Sequence, residues 1–386
     1  MTVRKDKKLA LDRLYFPAKI IPNLILLIYV CIDLMKFFQV ISPLIGNIIT
    51  VFLGTVAIIY SCMKNGIKRQ MPILIFVFIY TLFGAISILF NWNANPQELL
   101  WPFAFIGITT LLLNFIISTK LVKYIYYLVA IFLMFQIITS GSVNNLDTVS
   151  SRNTISIMVL LYFAIYAINS FKNNRKITIF PVLVGLVVVI MAIGRSGIIT
   201  FLLLTVLFLF FKFNGKEHKH RNPFKSMFIL IGGGIVLWLS YNFLGIYFEQ
   251  MLSNFESRGL ESIRKLIWVD YLNKTFNSAG SFLFGTPISG TYLLDMYSHN
   301  LHNSFLMLHA KYGIVMFISV VLLVIKAFIY YIKINNILYL SLLSVLLFRM
   351  QFDYTNFNAQ LDIIFFYFIL FPYIDSKIKN NKKIGV

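Results

Sequence analysis

The sequence predicts an all-α polytopic membrane protein, and three observations carry that reading. Apolar residues make up 59% of the 386-residue chain and charged residues 12%, where soluble domains hold about 45–50% and 25%. The mean hydropathy is +0.81, so too few polar side chains remain to coat a water-facing surface. Apolar residues also gather in stretches near the roughly 20 that cross a bilayer, and the connections between them alternate between rich and poor in Lys and Arg. Together these exclude a soluble globular enzyme, a disordered chain and a secreted disulfide scaffold.

Taken in order, twelve spans are expected at about 19–40, 41–62, 71–91, 99–118, 121–140, 153–171, 176–194, 196–213, 226–248, 305–328, 336–352 and 360–375. The first is too long for a signal peptide and lacks a small-residue cleavage site, so it reads as a retained helix. Cys31 lies within it and Cys62 at the far end of the second, a placement that hardly suits a disulfide. Span nine contains Gly232-Gly233-Gly234, which suits close helix contact. The twelfth is the shortest. Segments 1–19, 63–70, 120–123, 172–176, 212–225, 326–333 and 377–383 hold 25 of the 34 Lys and Arg. Positive charge stays cytoplasmic, so both termini are expected inside. The net charge of +20 is then a topology signal with attraction to anionic lipid, not a nucleic-acid footprint.

The chain reads as a single transmembrane domain, 1–386, with one large insertion. Residues 249–303, between spans nine and ten, fall outside the cytoplasm by the charge count, and a structureless loop of that length would be unusual. Leu260, Ile263, Ile267 and Tyr271 recur at spacings of three and four, which predicts an amphipathic helix within 256–276. Gly280, Gly285, Pro287 and Gly290 then mark turns.

Few charges lie off the cytoplasmic side, and burying one in hydrocarbon costs several kcal/mol. Arg195, in Gly194-Arg195-Ser196-Gly197, is either an interfacial arginine that snorkels or an anion clamp whose planar fork suits phosphate. Arg264, Trp268 and Tyr271 fall at i, i+4 and i+7, so one helical face would set a cation beside two aromatics. That face either rests on lipid headgroups or holds phosphate and sugar, with Arg258 and Lys265 nearby. His299, His302 and His309 cluster where span ten begins. His302 and His309, seven apart, would share a helical face, and a histidine at a water-accessible helix start suits a proton acceptor. No zinc-type ligand spacing is present, and no metal or cofactor is expected. Glu217-His-Lys-His-Arg221 reads as a solvated basic loop.

His302-Asn303, nine residues, then Gly313 resembles the C-terminal signature of the O-antigen ligase and polymerase superfamily, at the junction of the large loop and the next span. The family pattern continues with a small residue or Tyr three positions later, where this chain has Met316. Gly194-Arg195-Ser196-Gly197 resembles the family's arginine at the outer end of a mid-chain span, and Arg264-Lys-Leu-Ile-Trp268 its Arg-x-x-x-Trp element. The likeness covers roughly 150–375 in order and spacing. It implies a GT-C-like, metal-independent, inverting glycosyltransferase of the bacterial cytoplasmic membrane, acting on undecaprenyl-diphosphate-linked oligosaccharide as donor and acceptor. It makes His302 the base, with Arg195 and Arg264 on the donor diphosphate. Arg258, Arg152, Asn303 and Trp268 are further substrate-binding candidates.

Within that resemblance the favoured activity is polymerisation of repeat units into O-antigen, capsule or exopolysaccharide, with a flippase and a chain-length regulator as candidate protein partners. A ligase moving glycan onto lipid A core is the near alternative. A lipid-linked oligosaccharide flippase is the rival from another class. It would place ionisable groups or broken helices near the midplane, for which Asp33, Lys36 and Asp362 are the few candidates.

Overall fold

A computed structural model describes residues 20–90, 95–140, 152–214, 249, 253, 264–296 and 299–384. Expected span nine with its glycine triplet, Arg258, Leu260 and Ile263 of the large loop, and the basic segments 1–19 and Glu217–Arg221 lie outside the described residues. Among the described residues all regular structure is helical. The order is α1 (Ile20–Phe37), α2 (Pro43–Asn65), α3 (Ile67–Phe90), a 3-10 turn (Pro96–Leu100), α4 (Trp101–Asn114), α5 (Thr119–Thr139), α6 (Arg152–Lys172), α7 (Phe180–Met191) and α8 (Arg195–Asn214). After the undescribed stretch come α9 (Arg264–Phe276), α10 (Ala279–Phe284), α11 (Tyr292–Met296), α12 (Ser304–Lys333), α13 (Ile337–Phe352) and α14 (Asp362–Ile384).

Among the described residues, seven helical segments are long and apolar enough to cross a membrane: α1, α2, α3, the 3-10 turn continued by α4, α5, α6 and α12. The chain is thus a polytopic membrane protein, all-helical among the described residues. The apolar helices α7 and α13 are shorter, as is the apolar part of α8, Arg195–Phe211. At 12 residues, α7 reaches about 18 Å of a hydrocarbon core of roughly 30 Å. The bundle centre is α6, buried along nearly its whole length, with the wholly buried run Ile363–Leu370 of α14. Around them, α1, α2, α3 and α5 turn Leu24, Phe52, Phe78 and Leu128 outward, the apolar surface that lipid covers.

Two local features set the bundle's geometry. Gly54 on α2 and Gly107 on α4 let the two backbones touch, since a Cβ on either would collide with the other helix. The fourth span, expected to run to 118, stops at Asn114 because side chains take over its backbone groups. Asn169 Oδ1 accepts from the Ile117 amide (3.3 Å), Asn23 Oδ1 accepts from the Ser118 amide (3.0 Å), and Lys172 donates to the carbonyls of Leu112 and Phe115.

The large loop docks on α12 through a break in that helix. Gly313 sits at φ +74°, a conformation glycine adopts without steric cost, and the Leu283 carbonyl and Phe284 backbone occupy the place of its absent Cβ. Helix α10 therefore ends in the notch. His309 latches it: Nε2 donates to the Phe282 carbonyl (2.8 Å), which leaves Nδ1 to accept from the Tyr271 hydroxyl of α9 (2.6 Å). Ile267 and Tyr271 are fully buried, as the amphipathic spacing predicts.

Candidate functional site

Helix α12 begins where Asn303 caps it, its Oδ1 accepting from the amides of Phe305 (2.9 Å) and Leu306 (3.1 Å). His302 precedes that cap, at φ +48°, so it shares no helical face with His309, and the expectation of a common face is corrected. Four hydrogen bonds hold the turn. The His302 amide donates to Asn300 Oδ1 (2.8 Å). The Trp268 indole N–H donates to the Leu301 carbonyl (2.7 Å). Asn303 Nδ2 donates to the carbonyl and Oε1 of Gln351 (3.3 Å each). The Ser304 hydroxyl donates to the Asp353 carbonyl (2.8 Å) and accepts from the Thr355 amide (2.9 Å), tying the start of α12 to the end of α13.

The imidazole consequently faces a carboxylate. His302 Nδ1 stands 3.5 Å from Asp353 Oδ1, and Arg349 Nη2 stands 3.1 Å from Asp353 Oδ2. Arg349, one turn before Asp353 on α13, is only 1% exposed. Its Nη2 also approaches Ser156 Oγ (3.2 Å) and the Asn153 carbonyl (3.3 Å) on α6. Its Nε and Nη1 have no hydrogen-bond partner among the described residues. Burying a guanidinium costs several kcal/mol unless its donors are met, so these open N–H groups ask for a reason.

Burial alone would push the Asp353 carboxyl up. The approach of His302, then the guanidiniums of Arg349 and Arg264, outweigh it and hold the group below the usual carboxylate range. His302 Nδ1 faces this carboxylate without closing a hydrogen bond to it, an approach of the kind that orients the ring in a carboxylate–histidine pair. Arg264, half-buried at the first turn of α9, adds a second guanidinium to the same field.

The structure therefore gathers His302, Asn303, Arg264 and Trp268 from the sequence candidates. Asn303 serves as helix cap, and Trp268 uses its N–H to hold the turn carrying His302. Tyr271, which the i, i+4, i+7 spacing would set on one face with Arg264 and Trp268, is instead buried against His309. Arg195 opens α8, beside Ser196, whose hydroxyl reaches Asn153 Oδ1 (3.4 Å), the residue whose carbonyl faces Arg349. Arg152 is the first residue of α6, preceding Asn153. Arg258 lies outside the described residues. His299 pairs with Asp295 at 3.2 Å on an exposed turn. Asp362 is not mid-helix but the first residue of α14, accepting from the amides of Phe357 (2.7 Å), Asn358 (2.7 Å) and Ala359 (3.2 Å).

Arg349 and Asp353 are the site residues that sequence reasoning missed. Their signal was an arginine within an apolar stretch, followed at i+4 by an acid, the spacing of a helical ion pair. Among the described residues no group of three or more His, Cys, Asp or Glu is placed to hold a metal ion. Compared with protein-family models, curated proteins and solved structures, the chain gives no match.

Proposed function

We propose that this chain is a membrane glycosyltransferase that polymerises undecaprenyl-diphosphate-linked oligosaccharide repeat units into a surface polysaccharide. The reading joins the family resemblance of the His302-Asn303, Arg195 and Arg264 motifs to one observation: His302 is backed by an ionised carboxylate and flanked by a buried guanidinium with open donors. His302 Nε2 takes the proton from an acceptor sugar hydroxyl as its oxygen attacks the anomeric carbon of the donor. The bond from that carbon to the diphosphate oxygen breaks with inversion, and the leaving group departs with its electron pair. Arg264, Arg195 and Arg349 meet the charge that develops there, and Asp353 stabilises the imidazolium. Twelve spans of GT-C-like arrangement, cytoplasmic termini and an external site belong to the same proposal, supported by the alternation of Lys and Arg.

Elongation of lipid-linked repeat units by membranes containing the protein tests it. His302→Ala lowers the rate by about 10²–10⁴-fold, the usual worth of a general base, with the amount of protein in the membrane unchanged. Undiminished elongation overturns the mechanism. Sizing the glycan in a strain lacking the gene sorts the activities: single repeat units indicate a polymerase, long chains left on the carrier a ligase, and material held in the cytoplasm a flippase.

A further inference from the structure

The chemistry above leaves a neighbouring cavity unused. It measures about 210 Å³, and Lys36, Trp101, Phe105, Thr154, Tyr354 and Gln360 line it. The end of α1, the starts of α4 and α6 and the segment between α13 and α14 meet there. Tyr354 directly follows Asp353, and Thr154 directly follows Asn153, so the cavity adjoins the His302 site. Its volume is below the roughly 300–1,000 Å³ of pockets for drug-sized ligands, room for one ring and not a chain.

Three polar groups from three elements remain open in it. The Lys36 ammonium makes no hydrogen bond, and no ion pair within 4 Å, among the described residues; Asp33 is the charge that faces it from a greater distance. Its Nζ lies 5.9 Å from the centroid of Trp101, and its stem lies against Gly46 of α2, where any Cβ would collide with it. Asp33, one turn earlier, has both oxygens engaged, Oδ2 by the Tyr162 hydroxyl and Oδ1 by Gln360 Nε2, each at 2.7 Å. That contact fixes the Gln360 amide and leaves its carbonyl oxygen without a described partner, as is the Thr154 hydroxyl. Trp101 stacks on Phe105, centroids 5.3 Å apart at 10°, and makes a flat apolar wall. A half-buried ammonium whose own hydrogen-bond donors stay open is costly, and lysine recognises anions as a point charge. A ligand suited to this set is a ring with an apolar face, hydroxyls and one negative charge.

We propose that the cavity is a subsite for a single sugar ring bearing a carboxylate, part of the glycan handled at His302. The inference rests on the glycosyltransferase reading for the glycan's role but not for binding itself. Saturation-transfer NMR on the detergent-purified full chain, with D-glucuronate, D-glucose and inorganic phosphate as probes, decides it. Glucuronate binds about tenfold or more tightly than glucose, Lys36→Met or Lys36→Gln erases the difference, and His302→Ala leaves it intact. The wild-type comparison stands even if a Lys36 variant misfolds. Equal binding of the two sugars, a preference that survives loss of Lys36, or displacement of glucuronate by phosphate at equal affinity overturns the subsite. A chain that prefers glucuronate yet elongates nothing sinks the transferase reading alone, and one that elongates while ignoring glucuronate sinks the subsite alone.

Discussion

Helix α6 meets a buried cation at each end, and the two are treated differently. At its C-terminal end Lys172, 3% exposed, donates to the carbonyls of Leu112 and Phe115. Those are acceptors that the end of α4 leaves without helical partners, and a cation there also suits the helix dipole. Gln70 and Asn114 close the same region by a reciprocal pair of 2.9 Å bonds. About 30 Å away along the helix, Arg349 touches Asn153 and Ser156 with one nitrogen, pairs with Asp353, and keeps Nε and Nη1 open. Both cations carry a desolvation cost. Lys172 converts it into a finished helix end, whereas Arg349 holds donors in reserve, and that reserve is what the proposed transfer draws on.

The most forceful way to break the contrast is to change each cation without changing its bulk. Arg349→Lys keeps the charge but loses the fork, and elongation should fall on the order of 10²-fold, as when a transition-state donor is removed, with the melting temperature little altered. Lys172→Met should do the reverse. It strands two buried carbonyls at about 1–3 kcal/mol each, lowering thermal stability while elongation per folded molecule holds. Equal loss of elongation in both variants, at equal stability, would erase the distinction between the ends.

A smaller effect is expected where the loop is docked. Gly313→Ala places a methyl against the Leu283 carbonyl at a positive φ, a strain of about 1–3 kcal/mol that should pry α10 from α12. Because α9 carries both Trp268 and Arg264, the His302 turn loosens with it, and elongation should drop about tenfold. Limited proteolysis within 264–296 should quicken in parallel. Faster proteolysis with unimpaired elongation would show that the docked loop does not position His302.

What the sequence made legible follows from the solvent. Hydrocarbon admits backbone only when its hydrogen bonds are closed, so apolar length alone placed most helices within a few residues. Where side chains supply those bonds the rule fails, as at Asn114, where Asn169 and Lys172 end the helix from 50 or more residues away in the chain. The His302 turn was misjudged for a local reason: Asn303 before Ser304 is a helix cap, and weighing it would have kept His302 off the helix. Arg349 and Asp353 stayed hidden because an ion pair at the end of a short apolar stretch reads as a boundary. Only the fold brings α6 and the His302 turn against it.

The most delicate test concerns acid. Asp353 is held below its unfolded value near 3.9 by His302, Arg349 and Arg264, so between the two values the unfolded chain binds the extra proton. Its contribution to stability is then whole above about pH 4 and lost as pH falls through the folded value. Asp353→Asn, though less stable at neutral pH because Arg349 loses its counter-ion, should therefore show a flatter decline in melting temperature from pH 5 to pH 3 than the parent chain. Lys172→Met removes a group that donates to the carbonyls of Leu112 and Phe115 and should keep the parent's slope despite its own loss of stability. A slope that flattens in the lysine variant, or stays steep in the aspartate variant, would mean that the acid response does not belong to the Arg349 end of α6. The guanidinium's reserve of donors would then need another explanation.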